Sequence, residues 1–200
     1  MPSMMIHLLA AHKLCADTEP LFCIGTVAPD AVRSREEKDI THFRTAKNRE
    51  RALVELAEKT KKDSPFEEGV LLHLFLDWRW DNKAYKNYSV THDEENWFYT
   101  YRHEIALAGA YIYHNCDWSR EVWQGMLECP ESMYGKTPGV CDREVTEFLK
   151  RNYRWHEENN IGPSEAYSPE FVEDFTNRTV VEFFNWRKGI ILNASENTGA

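Results

Sequence analysis

Two residues that can bind a metal or move a proton lie four positions apart in an apolar stretch, GVLLHLFLDWRWD, at residues 69–81. Five of the six residues from Leu71 to Leu76 are large and apolar, which is typical of a helix buried on all sides. On such a helix His73 and Asp77 project from one face, one turn apart. A buried, ionised aspartate is costly unless it is paired or bound to a metal. The sequence therefore predicts a partner for Asp77.

That partner can be a hydrogen-bonding group or a metal ion. In the first interpretation, His73 and Asp77 form a buried pair that orients the neighbouring helices. In the second, both are ligands of a zinc ion, because imidazole and carboxylate bind zinc and two side chains one turn apart can reach one ion. The pair alone leaves both interpretations open.

Two further candidate ligands precede the apolar stretch. Asp30 follows Pro29, which restricts the backbone, so its carboxylate can be aimed inward; the alternative is an ordinary turn aspartate. His42 lies between an acidic segment and a basic helix, and the alternative for it is a residue at the surface or at the edge of the core. Together the candidates make an Asp-His-His-Asp set suited to zinc or another transition metal, formed by Asp30, His42, His73 and Asp77.

Composition limits the class of protein. The chain has 200 residues, of which 42% are apolar and 28% charged, as expected for one folded globular domain. Its net charge of −9 argues against binding to duplex nucleic acid, which requires a basic face. A small phosphate ester remains a plausible substrate, since a metal ion can supply local positive charge. The five cysteines lack C-x-x-C spacing, which argues against a disulfide scaffold or a zinc knuckle.

No targeting or membrane segment is predicted. The N-terminal stretch lacks a basic region, and His7, His12 and Lys13 interrupt its apolar run, so it is unlike a signal peptide. No apolar run reaches the ~18 residues that a membrane span requires. The expected localisation is cytoplasmic.

Helix signals dominate, and the predicted fold is an all-α, single-domain bundle of six or seven helices at residues 1–188, with a C-terminal tail at residues 189–200. Residues 20–45 are predicted to be mostly irregular, except for a short helix that KDITHF begins or crosses. The helix with the apolar stretch is expected to begin at Ser64, with a capping box to Glu67. The predicted helices comprise residues 3–15, 46–62, 64–80, 93–115, 118–128, 143–158 and 169–188.

Four segments within residues 1–82 resemble the zinc-dependent phospholipase C family, which is related to the P1-type nucleases: IHLLAAHKL, FCIGTVAPDAV, DITHFR and GVLLHLFLDWRWD. The resemblance implies an all-α fold that carries up to three zinc ions and hydrolyses phosphoesters. In that family a loop aspartate, a histidine and a buried H-x-x-x-D pair surround one zinc, and a histidine near the N-terminus helps to hold another. The corresponding residues here are Asp30, His42, the pair His73 and Asp77, and His7.

The resemblance therefore implies a zinc-dependent phosphoesterase that hydrolyses a small phosphoester with a metal-activated water. Asp30 would be both a ligand and the residue that orients the water, and Asp77 would bridge two ions or hold one. His12 is a second match for the N-terminal histidine, but it lies five residues from His7 and shares its helix face poorly.

The sequence also departs from the family pattern. The secreted enzymes use a processed N-terminus as a zinc ligand, whereas this chain begins with Met1. They also have a histidine soon after H-x-x-x-D and a later H-x-x-x-E, and neither occurs here. We therefore expect one or two ions rather than three. Conceivable replacement ligands are Asp81, His103 and His114.

Three other hypotheses stay open. The adjacent His92 and Asp93 suggest an HD-type metal phosphohydrolase, although the acidic residues there also suit a helix start. A non-catalytic, metal-stabilised helical protein would bind zinc without an open coordination position. In a purely structural or interaction protein, the Asp–His pairs would be hydrogen-bonded without metal. The small residues at 106 and 108–110 allow close helix approach within a chain or in a homodimer.

Overall fold

The structure, a computed structural model, describes residues 1–15, 19–60 and 63–197. The chain is 74% helical with no strand in this part, which confirms the all-α prediction. The α-helices are α1 (Met4–Leu14), α2 (Pro20–Gly25), α3 (Arg35–Thr41), α4 (Arg49–Lys59), α5 (Pro65–Trp80), α6 (Lys86–Thr91), α7 (Trp97–Asn115), α8 (Ser119–Glu128), α9 (Asp142–Glu158) and α10 (Pro169–Asn197).

The described part contains more helix than the sequence predicted. The segment 20–45, expected to be mostly irregular, forms α2, a 3₁₀ turn at Ala28–Ala31 and α3. The helix expected to end near Trp80 continues through a π-helical turn, Asp81–Tyr85, into α6. Short helices such as α2 have too few turns for a periodic pattern, so their formation depends on packing against the rest of the protein.

Two central helices, α1 and α5, form the middle of the bundle. Met4 to Ala11 of α1 and Val70 to Asp77 of α5 are all buried. These two stretches are covered on every side, so polar residues within them have no access to bulk water unless a cleft reaches them. The candidate residues His7, His73 and Asp77 are all on these two helices.

Helices α2 and α5 cross at very short range because both have glycine at the crossing. A Cβ atom on Gly25 would lie 1.9 Å from the Phe66 carbonyl oxygen, and one on Gly69 would lie 2.2 Å from the Phe22 carbonyl oxygen. No other residue type fits at this separation. The crossing holds Thr26, the residue after α2, against α5 one turn beyond Gly69.

Two serines, Ser34 and Ser64, each precede a helix and have a glutamate three residues later, but only one of them caps its helix. Ser34, with ψ of 158°, forms a complete capping box with Glu37 and begins α3. Ser64, with ψ of 92°, makes no side-chain cap hydrogen bond, so the predicted capping box with Glu67 is wrong. Pro65, at the first helical position, is left as the start signal of α5.

The C-terminal helix is longer than predicted. Helix α10 runs through residue 188 to Asn197, so the tail predicted at 189–200 begins inside a helix. Gly189 does not end it, because Ile190 continues the apolar side that packs against a buried cluster including Leu71, Phe75 and Phe183. No helix of the described part is long and apolar enough to cross a membrane.

The small residues of α7 serve a contact within the chain. A Cβ on Gly109 would lie 2.7 Å from Ser3 Oγ, and Ala108 and Ala110 are buried. The absence of a side chain at Gly109 thus allows Ser3, which precedes α1, to pack directly against α7. The homodimer expected from these residues stays a prediction.

His156 on α9 makes the stability of the fold depend on pH. Its side chain is buried and its Nδ1–H donates to the Asn152 carbonyl oxygen at 2.8 Å. Burial lowers the pKa of His156 from 6.5 to about 4. Between these values the unfolded chain binds a proton that the folded protein does not, so stability is present above pH 6.5 and is lost as the pH falls towards 4.

We expect a His156→Gln variant to lose this dependence. Wild type at pH 4 should be less stable than at pH 7 by about 3 kcal/mol in unfolding free energy, because the pKa of His156 is 6.5 in the unfolded chain and about 4 in the folded protein. Urea unfolding of metal-depleted wild type and variant at pH 7, 5.5 and 4 measures the difference. Parallel pH profiles for the two proteins would contradict the assignment.

Candidate metal centre

His73 and Asp77 lie side by side at the centre of the bundle, where neither has any exposed surface. The backbone carbonyl of Thr26, held by the α2–α5 crossing, lies 2.8 Å from His73 Nδ1. A carbonyl can only accept, so Nδ1 carries the hydrogen of the neutral ring and Nε2 carries a lone pair. Helix α5 and α2 together therefore fix both the ring orientation and the tautomer of His73.

His42, at the C-terminal end of α3, is fixed in the same way. Its Nδ1 lies 2.8 Å from the carbonyl oxygen of Lys38. Its Nε2 points at His73 Nε2, only 2.9 Å away. With both Nδ1 atoms donating to carbonyls, two lone pairs face each other in a buried space. Such a pair is stable only with a cation between or beside the two nitrogens, either a shared proton or a metal ion.

The carboxylates close around these nitrogens at distances typical of one coordination sphere. His42 Nε2 lies 3.3 Å from Asp77 Oδ2 and 3.6 Å from Asp30 Oδ1. His7 Nε2 lies 3.4 Å from Asp77 Oδ1. Ligands bonded to zinc at ~2.0–2.1 Å in a tetrahedron are separated by about 3.3 Å. The three histidine–carboxylate separations are close to this value, whereas the 2.9 Å between His42 Nε2 and His73 Nε2 is shorter.

His7 has no hydrogen-bonding partner for either ring nitrogen among the described residues, although its side chain is fully buried. Its ring stacks on that of His73 with centroids 4.0 Å apart. Asp77 Oδ1 also lacks a hydrogen bond. A buried polar group left unsatisfied costs about 1–3 kcal/mol, and native interiors rarely contain several together. His12, the alternative N-terminal match, instead stacks on Trp118 outside the cluster.

Asp30 lies at the rim of the cluster, in the 3₁₀ turn that follows α2. Its side chain is 9% exposed, whereas those of Asp77, His42 and His73 are inaccessible. Burial would raise the pKa of Asp30, but the Lys38 ammonium at 3.2 Å outweighs it and holds that pKa well below its usual range. Asp30 is therefore ionised and is the candidate that a molecule from outside can reach.

The charge state of the cluster suits a cation. Burial would raise the pKa of Asp77, but the His7, His42 and His73 rings hold it well below its usual value. Burial lowers the pKa of His42 and lowers that of His73 further, with the His7 ring adding to the effect at His73. At neutral pH the centre therefore holds the ionised carboxylates of Asp30 and Asp77 and the neutral imidazoles of His42 and His73, which are the forms that bind metals.

Five predicted ligands are thus brought together by the structure, in two overlapping groups that share His73. Within each group the candidate ligand atoms lie within 4.8 Å of one another; the groups are His7, Asp30 and His73, and His42, His73 and Asp77.

Arg44 is a residue of the site that sequence reasoning missed. Its guanidinium lies 3.3 Å from Asp77 Oδ2 and donates to Asp81 Oδ2 from both Nε and Nη2. Arg49 donates to the same Asp81 oxygen at 2.8 Å. The signal in the sequence was a second interval of four, from Asp77 to Asp81, which continues the face of His73 and Asp77 just past α5. It adds a second carboxylate that needs a cationic partner.

A strained turn aims Arg44 at the site. Phe43, between His42 and Arg44, has φ of 54°, in the left-handed region. For a residue other than glycine this costs about 1 kcal/mol or more. The reversal lets His42 and Arg44, two positions apart, both contact Asp77 from the same side.

The other candidate ligands lie outside both groups. Asp81, proposed as a replacement ligand, pairs with Arg44 and Arg49. His114 Nε2 donates to the His156 carbonyl oxygen, and His92 stacks on Tyr88. Neither described group contains His103, His92 or Asp93, so the geometry gives the HD-type hypothesis no support.

Two clefts open next to the cluster. One, of about 320 Å³, has Asp30 and Lys38 at its edge and walls formed by Ile105, Phe148 and Trp155. The other, of about 700 Å³, contains Lys38, Arg44 and Asp81. The cluster is therefore buried on the α1 and α5 side and accessible on the α3 side.

Comparisons of the chain with protein-family models, curated protein sequences and solved structures find no significant match.

Proposed function

We propose that the chain binds a zinc ion, or a similar divalent transition-metal ion, and hydrolyses a small phosphoester. The observation that carries the proposal is the 2.9 Å separation of His42 Nε2 and His73 Nε2, with both Nδ1 atoms held by backbone carbonyls. A cation would remove the repulsion between the two nitrogen lone pairs. Asp30, Asp77 and His7 add ligand atoms within 3.6 Å of these nitrogens or of one another. The motif resemblance supports zinc.

One ion fits the donor set better than two. Both groups of candidate ligands need His73, whose Nδ1 is used by Thr26, so its Nε2 alone is available for a metal. The outer side of Asp77 faces the Arg44 guanidinium, which supplies positive charge where a bridging aspartate would meet a second ion. We therefore expect one equivalent of metal.

The accessible side supports an enzyme rather than a closed structural site. A bound zinc supplies Lewis acidity and lowers the pKa of coordinated water to ~7. Asp30, ionised and at the rim, can accept a hydrogen bond from the attacking water and orient it. Lys38 and Arg44 line the larger cleft beside the cluster and can bind the phosphoryl oxygens, whose negative charge they complement.

Metal content and hydrolysis, measured together, test the proposal. We expect untagged wild type to contain about one equivalent of zinc by elemental analysis. Asp77→Asn should contain almost none, because the substitution replaces a negatively charged carboxylate ligand with an uncharged amide. Hydrolysis of bis(p-nitrophenyl) phosphate should fall more than about 100-fold in the variant, beyond the effect of losing a group that only orients a ligand. Chelation of wild type should have the same effect, and zinc should reverse it.

The outcomes separate the open alternatives. Absence of metal from both proteins, even after zinc is supplied and the excess removed, would mean that His42 and His73 share a proton in a structural network. Metal without hydrolysis of any phosphoester tested would indicate a metal-stabilised helical protein.

A further inference from the structure

The larger cleft next to the candidate metal centre has a charge opposite to that of the whole protein. The chain has a net charge of −9. Five basic and two acidic side chains line the cleft: Arg33, Arg35, Lys38, Arg44, Arg102, Asp39 and Asp81. A concave basic surface on an acidic protein concentrates anions locally.

Two of the arginines are available for a ligand. Lys38 is paired with Asp30, Arg33 with Glu147, and Arg44 with aspartates. The side chains of Arg35 and Arg102 make no ion pair or hydrogen bond to any residue of the described part. Both are exposed, one at the start of α3 and the other on α7, so they belong to separate elements that line one cleft.

The cleft is continuous with the candidate centre. Arg44 lines it and contacts Asp77, and Lys38 lines it and contacts Asp30. A ligand in the cleft would therefore reach both the inner, paired cations and the outer, unpaired arginines. Its volume of about 700 Å³ is in the range of small-molecule sites.

We infer that this cleft binds a second anionic group of the substrate through Arg35 and Arg102. The inference rests on the proposed function: the reacting phosphoester lies at the centre, and the substrate carries at least one further phosphate or carboxylate. A single-charge ester would leave the two outer guanidinium groups without a partner. Arginine suits this role, because its planar fork can donate two hydrogen bonds to one phosphate or carboxylate.

Calorimetric titration of inorganic phosphate into the zinc-loaded protein tests the inference. We expect wild type to bind phosphate at two sites, one dependent on zinc and one in the cleft. Arg35→Gln and Arg102→Gln should each weaken phosphate binding at the cleft site about tenfold or more, since each removes a charge-assisted contact. Neither substitution should change the zinc content. Added salt should weaken the cleft site, because it is exposed.

Two further variants make the result specific. Arg178→Gln removes an exposed arginine that is paired with Asp174 and does not line the cleft, so its titration should match wild type. Asp77→Asn, which is expected to lose zinc, should retain the cleft site and lose the other. Unchanged phosphate binding in both Arg35→Gln and Arg102→Gln would overturn the inference while leaving the zinc-dependent site intact. If wild type instead binds phosphate in the cleft but shows no zinc-dependent phosphate site, the result would count against the proposed function.

Discussion

A His73→Ala variant is expected to contain no zinc and to lose metal-dependent stabilisation completely. His73 contributes the one nitrogen shared by both groups of candidate ligands, so its removal leaves neither group complete. Wild type should gain about 4 kcal/mol in the free energy of unfolding when free zinc is about 1,000 times Kd. The variant should gain almost nothing, and hydrolysis should fall by more than about 100-fold.

Denaturant unfolding with and without zinc measures this difference, and circular dichroism reports whether the variant is folded. The matched control is His12→Ala, since His12 is on the same helix as His7 but stacks on Trp118 away from the cluster. It should respond to zinc as wild type does. Full metal content in a folded His73→Ala protein would reject the assignment of this histidine as a ligand.

A Gly69→Ala variant is expected to lose both stability and metal affinity, although residue 69 is not a ligand. The added Cβ would lie 2.2 Å from the Phe22 carbonyl oxygen and 2.7 Å from the Thr26 amide nitrogen. These are backbone atoms, so no side-chain rotation relieves the clash and the two helices must separate. We expect a loss of about 3 kcal/mol in unfolding free energy, at the upper end for an over-packed core.

The effect on metal follows from the position of Thr26. Separation of α2 from α5 moves the Thr26 carbonyl away from His73 Nδ1 and frees the ring to rotate. Loss of such an orienting hydrogen bond costs about 10–100-fold in metal affinity.

Gly189→Ala is the control for this variant, because a Cβ there has no neighbour within 4 Å. It should stabilise α10 by about 0.5–1 kcal/mol. Wild-type zinc affinity in Gly69→Ala would show that the crossing does not position His73.

The all-α architecture could be predicted because the helical signal is local. Residues 71–76 are apolar on every side of a helix, and α5 is buried as that pattern requires. Trp80 is likewise fully buried, donating from Nε1 to the Tyr101 hydroxyl. Helix α2 was missed and the start of α3 was not located, since the formation of such short helices depends on packing against segments that are distant in sequence.

The sequence by itself determined that His73 and Asp77 share a face, because helical geometry depends only on their spacing. It also supplied the residue types of the candidate set, including His7, Asp30 and His42. Only the tertiary structure decided that His42 Nε2 meets His73 Nε2 across 31 positions of chain, and that Arg44 reaches Asp77 and Asp81. Those contacts depend on a glycine crossing and a left-handed turn, whose distances arise from the packing of separate segments rather than from any local pattern.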